Sequence, residues 1–353
     1  MTVRVRFAPS PTGSLHVGNA LDAVANRAFA DARGGRLVLR LDDTDATRVV
    51  EGGEQSVLED LGWLGIGWDE GPIRQSERAA FYTAAAERLL ERGAAAREAD
   101  GTVRLVAAPR PTLLRADGSA TYQLATVADD LELGITHVIR GSDHRPNLPV
   151  HQSIAHGLGA ELPEVIHHGL VLGQDGKKLS KRHGHASVSD LRDEGLPGAA
   201  VRAYLDELGL PVHDVHFDLA RVRRLAIDAI AAMPDHELAA AAAAPLEVVP
   251  ALRGARTLVE VREIARQITE APAVTVGTAA HVTLERFVEL REATEDALDG
   301  PSAKEIVREL KAVGGDLKSL RLALTGAERG PELSAVVAAL SRNEAIRRAR
   351  AAH

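Results

Sequence analysis

The chain has no cysteine among its 353 residues, so neither a disulfide framework nor a thiolate metal site is open to it. Aromatic residues make up only 3%, and the two Trp, Trp63 and Trp68, read as packing anchors rather than a stacking platform for bases. No apolar run reaches bilayer-spanning length, and the N-terminus lacks the pattern of a secretory signal; a cytoplasmic location is the expectation. A basic excess is also missing. The formal net charge is −8, which argues against extensive contact with nucleic acid, although a local basic patch can coexist with it. What remains is an ordinary globular composition, 45% hydrophobic and 26% charged, long enough for roughly two domains and a sizeable core. No internal repeat is visible.

The most informative stretch lies at the start. Residues 3–7 alternate as a short buried strand, and Pro9, Pro11 and Gly13 forbid its continuation. After Leu15 the pattern turns helical, with Leu21, Val24 and Phe29 among Ala residues until Gly34-Gly35. His16 therefore stands at a helix start. Unpaired N–H groups and the helix dipole attract phosphate there, and Gly18 would let a nucleotide approach closely. A second strand at 36–41 runs into Asp42-Asp43-Thr44-Asp45, acidic residues placed where ligands bind in open α/β sheets. Helical patterns follow at 51–64 and at 76–92, the latter with Ser76 as N-cap. Between 93 and 119 the chain offers only short β-like pieces near 102–106 and 113–115, which suggests a simple hairpin or loop.

An apolar strand at 137–139 ends in Arg140, whose planar fork suits a carboxylate. A third strand near 165–172 leads into Gln174-Asp175-Gly176-Lys177-Lys178-Leu179-Ser180-Lys181-Arg182-His183-Gly184. This Gly-flanked loop carries enough positive charge to stabilise a pyrophosphate leaving group. His183 and His185 lack a third ligand at metal spacing, so no protein-held metal is assigned. After Pro211 the composition shifts to Ala-rich helices. Thr257 with Glu260 and Ser302 with Glu305 read as capping boxes. Gly330-Pro331 opens a last helix with Leu333, Val336, Val337 and Leu340 on one face.

Arg6-Phe7-Ala8-Pro9-Ser10-Pro11-Thr12-Gly13-Ser14-Leu15-His16-Val17-Gly18-Asn19, Asp42-Asp43-Thr44-Asp45, the run from Tyr122 to Asp130, Arg140 and Lys178-Leu179-Ser180-Lys181-Arg182 together resemble the class I glutamyl-tRNA synthetases. The resemblance implies an α/β fold class: a Rossmann-like parallel-sheet catalytic domain over 1–212, followed by an all-α helical domain over 213–353. It also implies that the family's long acceptor-gripping insert is reduced to 93–119 and that the helical tail is abbreviated. The implied function is ATP-dependent activation of glutamate, or a close analogue, to an aminoacyl-adenylate and its ligation to an acceptor.

By the same resemblance, His16, Lys178, Lys181 and Arg182 are catalytic. Pro9, His16, Gly18, Asn19, Leu172 and Lys181 bind ATP, with Mg²⁺ arriving alongside it. Arg6, Ala8, Ser10, Asp42, Tyr122 and Arg140 hold the amino acid. Asp42, Thr126, Ser142 and Leu148 depart from the usual family residues and bear on the exact substrate. Family members need tRNA before they activate glutamate, but here tRNA contact is expected to be weak or absent, and the chain monomeric. The alternatives are a repurposed ligase that passes the acyl group to an amine, a carrier protein or a small molecule, and a non-catalytic regulatory paralogue. Intact His16 and Lys181 disfavour the last.

Overall fold

The structure, a computed structural model, describes residues 2–177, 179 and 187–352. They fall into two compact units, Met1–Asp193 with Val201–Leu219, and Glu194–Ala200 with Ala220–His353.

In the first unit, β1 (Arg4–Phe7), α1 (Val17–Asp31) and β2 (Arg36–Leu41) follow the sequence pattern closely. β1 and β2 pair in parallel, Arg4 against Arg36 through Phe7 against Leu39. Five of the six β2 residues are buried, as befits a parallel strand covered on both faces. Ala20, Leu21 and Ala23 of α1 are fully buried, and their mostly small side chains let the helix lie close to the sheet.

α2 (Gly53–Trp63) leads to β3 (Glu70–Arg74), which pairs in parallel with β2. No strand is expected here from the sequence, and Gly71-Pro72 obscures its pattern. Pro72 is tolerated because β3 pairs only with β2 in this sheet. Gly71 has φ of +98, and a Cβ on it would stand 2.2 Å from the Leu39 carbonyl oxygen, so only glycine allows this approach. The next helix, α3 (Ala79–Glu91), begins later than expected, after a 3₁₀ turn at Gln75–Arg78. Ser76 does not cap it. Its N–H and hydroxyl donate to the Asp43 carboxylate at 2.7 and 2.6 Å.

Residues 93–119 are more than a simple hairpin. β4 (Ala95–Arg97), β5 (Val103–Leu105) and β6 (Thr112–Leu114) form a three-stranded antiparallel meander. Its Val103, Leu105 and Leu113 share a core with Leu89 of α3, Leu124 of α4 (Tyr122–Glu132) and Ile154 of α5 (Leu148–Gly157). Between α4 and α5, β7 (His137–Gly141) pairs in parallel with β8 (Glu164–His168). β7 lies along the other edge of β1, where the Thr136 N–H donates to the Arg4 carbonyl at 2.9 Å. The strands thus run side by side as β3, β2, β1, β7 and β8. The single strand expected near 165–172 is split: β8 stays with β7, while β9 (Val171–Leu172) pairs with β10 (Val215–His216). α6 (Val188–Asp193) and α7 (Gly198–Leu208) lie between β9 and β10 in sequence.

The second unit is helical: α8 (Leu219–Ala232), α9 (Asp235–Ala242), α10 (Val249–Leu252), α11 (Leu258–Thr269), α12 (His281–Glu292), α13 (Gly300–Ala312), α14 (Leu317–Thr325), α15 (Leu333–Ala339) and α16 (Arg342–Ala351). Leu284, Phe287, Leu310, Leu320, Val336 and Val337 are fully buried in one core. Thr257 caps α11 as its spacing predicts, accepting the Glu260 N–H at 3.1 Å. Ser302 does not cap α13; Asp299 does, taking the Ser302 N–H at 2.8 Å. The expected last helix is two helices. Leu340 is extended, and Ser341 restarts the chain by accepting the Glu344 N–H at 3.2 Å. The fold class is the one the sequence implies, a parallel-sheet α/β part followed along the chain by helices.

Candidate active site

Parallel strands deliver their carboxyl ends to one side of a sheet, and crevices there bind ligands. A cavity of about 620 Å³ opens at that side of the first unit. It is lined by the ends of β1, β7 and β8, the chain after β2, and the start of α1. Arg6, Ala8, Ser10, Asp42, Tyr122 and Arg140 all face it, as do Pro9, His16, Gly18 and Asn19. Leu172 does not line it. Its carbonyl is committed to the Phe217 N–H at 2.9 Å, while its neighbours Leu170 and Val171 reach the cavity. Lys178, Lys181 and Arg182 lie outside the described residues; Leu179, between them in sequence, faces the cavity.

His16 holds the N-cap position of α1 with extended backbone and bridges to Ser187. A Cβ on Gly18 would meet no atom within 4 Å. Glycine is thus not needed here for packing, and what it leaves clear is cavity space beside the helix start.

Beside Arg6 lies a buried charge network. Arg40 is fully buried in β2, a position where an arginine survives only if its donors are met. Its Nε and Nη2 donate to the two oxygens of Asp42 at 2.7 and 3.3 Å, and Nη1 donates to Asp130 at 2.8 Å. Arg6 donates to the same Asp130 oxygen at 3.3 Å. Burial alone would raise the Asp130 carboxyl, but the Arg6 and Arg40 guanidiniums outweigh it and hold it below the ordinary carboxylate range. Asp129 accepts from Gln75, Arg78 and Tyr82 at 2.8 to 3.1 Å. Three arginines (Arg6, Arg40 and Arg78) therefore face three aspartates, and Arg78 reaches Glu132 as well, at 2.9 Å.

Arg140 stands outside that balance. It is 5% exposed, has no carboxylate partner among the described residues, and its Nη2 is buried without a hydrogen bond. Its Nε donates to His167 Nε2 at 3.4 Å, and its Nη1 lies 3.5 Å from His151 Nδ1. Tyr122 bonds His144 Nδ1 at 3.2 Å, and the Tyr122 and His151 rings lie 5.8 Å apart. Burial, reinforced by the Arg140 charge, pushes His151 down to about 3 and His167 down to about 4. Both are neutral at physiological pH, so Arg140 faces the cavity without an ion pair among the described residues, the Asp130 charge reaching it only from a greater distance.

The other wall contains residues that the sequence reading missed. Asp22 and Asn26 of α1 face the cavity with His168 from the end of β8. His168 donates from Nε2 to Asp22 and from Nδ1 to the Gly169 carbonyl. Burial opposes its charge, but these two acceptors raise its pKa above the ordinary histidine value. Asn19, Asp22 and Asn26 recur at helical spacing on one face of α1, a polar stripe in an apolar helix that could have marked them. Thr126 is buried with its hydroxyl unpartnered.

Residues 2–106 and 100–222 match the family described as tRNA synthetases class I (E and Q), catalytic domain. Glutamate--tRNA ligase 1 of Rubrobacter xylanophilus is 36% identical over 424 aligned positions, which cover 98% of this chain and 97% of that protein. Glutamate--tRNA ligase 2 of a Methylobacterium species is 37% identical over 98% of each chain. The crystal structure of a glutamate tRNA ligase from Elizabethkingia meningosepticum in complex with its amino acid superposes with a TM-score of 0.78 at 22% identity, over 100% of this chain and 99% of that one. That last likeness speaks for the fold; the sequence relatives and the family match settle descent. The chain belongs to the glutamyl-tRNA synthetase family of class I.

Proposed function

We propose that this chain activates glutamate, or a close analogue, with ATP to an aminoacyl-adenylate and passes the acyl group to an acceptor. One observation carries the substrate reading: Arg140 is a buried cation with no carboxylate in ion-pair distance among the described residues and with Nη2 unbonded, in the same cavity as the His16 helix start. A side-chain carboxylate satisfies it, whereas a carboxamide leaves it charged and unmatched. Asp42 faces the same cavity and takes the substrate ammonium. Its two oxygens already receive Arg40, yet a carboxylate has about four acceptor positions, and Arg40 fixes its orientation. Tyr122 packs beside Arg140, and Ala8 and Ser10 complete the wall.

Pro9, His16, Gly18 and Asn19 receive the nucleotide, with Mg²⁺ carried in on the triphosphate. The substrate carboxylate attacks the α-phosphorus, and pyrophosphate leaves. Little covalent help is required, so positioning and charge stabilisation supply the rate. Lys178, Lys181 and Arg182 neutralise the leaving group by their charge. The test is ATP–pyrophosphate exchange across a panel of amino acids, with Lys181→Ala alongside. Glutamate should exchange fastest, and the variant should lose about a hundredfold or more. Faster exchange with glutamine or an aliphatic amino acid, or an unaffected variant, overturns the reading.

A second reading concerns the acceptor. The family match breaks at 100–106, and the 424-position alignment is longer than this 353-residue chain. The first favours a reduced acceptor insert at the β4–β6 meander, and the second means that the relative carries residues this chain lacks. Together with the net charge of −8, they favour an acceptor smaller than tRNA.

A further inference from the structure

We infer that Asp60 is a positioning residue that fixes the segment leading into His16 against residues 187–192, which follow the Lys178–Arg182 run in sequence, an inference that rests on the adenylate-forming reading above. Asp60 lies on α2, does not line the cavity, and is 1% exposed. Its Oδ2 accepts the Ser14 hydroxyl and the Leu15 N–H, each at 2.7 Å. Its Oδ1 accepts Arg192 Nη2 at 2.5 Å. The Ser14 hydroxyl in turn accepts the Ser189 N–H at 3.0 Å, and the Leu15 carbonyl takes the Val188 N–H at 2.8 Å. Ser187 and Asp190 cap each other reciprocally, at 3.0 and 3.1 Å.

α2, residues 14–16 and residues 187–192 therefore converge on one carboxylate. Only a carboxylate can accept a hydroxyl, an amide and a guanidinium at once, and charge-assisted bonds of this kind are short and directional. His16 follows directly on the first held segment, and Lys181 shortly precedes the second in sequence. Asp60 touches no reacting atom; it holds the segment that leads into His16 in register with residues 187–192. Errors of about 1 Å in such a register cost about 10²-fold in rate.

The experiment compares Ser14→Ala, Asp60→Asn and the double variant by ATP–pyrophosphate exchange with glutamate, thermal unfolding and amide hydrogen exchange. In folded protein, kcat should fall about tenfold in Ser14→Ala and about a hundredfold in Asp60→Asn, with KM for ATP within about twofold. The double variant should be no worse than Asp60→Asn, because Ser14 acts through Asp60. A folded Asp60→Asn protein with wild-type kcat, or losses that merely track the unfolded fraction, overturns the assignment. Should Asp60→Asn fail to fold, Ser14→Ala decides alone, an unchanged kcat sinking the idea. Absence of exchange in the wild type with every amino acid counts against the functional reading instead. The Leu15 and Ser189 amides then decide this one: they should lose protection together in Asp60→Asn, and loss at Leu15 alone refutes the coupling.

Discussion

Two buried guanidiniums in one site have opposite surroundings, and the contrast separates scaffold from recognition. Arg40 meets Asp42 and Asp130; Arg140 meets no carboxylate and leaves Nη2 unbonded. Replacing Arg140 removes a charge that no fixed acid depends on, so Arg140→Met should fold normally. Its KM for glutamate should rise about 10- to 100-fold, the worth of hydrogen bonds to a charged group, and its preference for glutamate over glutamine should collapse in exchange assays. His151 gives the second residue-scale expectation. Its folded pKa, about 3, lies below the ordinary value of about 6.5, so the unfolded chain takes up a proton that the folded one refuses. Stability from this group is full above about pH 6.5 and drains away as pH falls towards 3. His151→Gln should flatten that part of the curve, so denaturant melts from pH 7 to 4 should show the wild type losing more stability than the variant. Equal losses would mean that His151 does not titrate in this window.

Among the elements, the β4–β6 meander is a folded part of the first unit rather than a surface loop. Leu113 is fully buried against the core that also holds Leu124 of α4, the helix that begins at Tyr122. Leu113→Ala should cost about 2–5 kcal/mol, measured by urea unfolding. A change below about 0.5 kcal/mol would show the meander to be peripheral. Its short strands explain why the sequence suggests only a hairpin: three residues are too few for an alternating pattern to declare itself. β1, α1 and β2 are legible because their apolar periods are long and Gly34-Gly35 ends the helix. β3 is hidden by Gly71-Pro72, whose fit depends on the Leu39 carbonyl of a different strand. The same limit governs the site. Residues next to a signature, such as His16, Ser10 and Asp42, can be read locally. The meaning of Arg40 cannot, because Asp130 is 90 positions away and only the fold brings them together. Nor does the sequence distinguish Arg6, tied to Asp130, from Arg140, left open.

For the whole molecule the open choice is the acceptor, and charge supplies the argument. Phosphate contacts provide most non-specific affinity for nucleic acid, and losing several weakens binding by orders of magnitude at physiological salt. This chain carries a net charge of −8. Many arginines of its helical unit are already paired on the surface, Arg266 with Glu263 and Glu270 and Arg286 with Glu289 and Glu309 among them. In the meander, Arg97 pairs with Glu87 and Arg110 with Glu98. A guanidinium engaged by a carboxylate has less to give a phosphate. Family resemblance implies that activation waits for tRNA; the charge pattern favours weak tRNA binding. Exchange measured with RNase-treated protein separates the two. Glutamate-dependent exchange should proceed without tRNA at a rate that added tRNA changes by less than about twofold, and tRNA binding at physiological salt should fall in the weak, non-specific range of about 10⁻⁴ to 10⁻⁶ M. Strict dependence on added tRNA, with efficient charging, would return the chain to the ordinary role of its family.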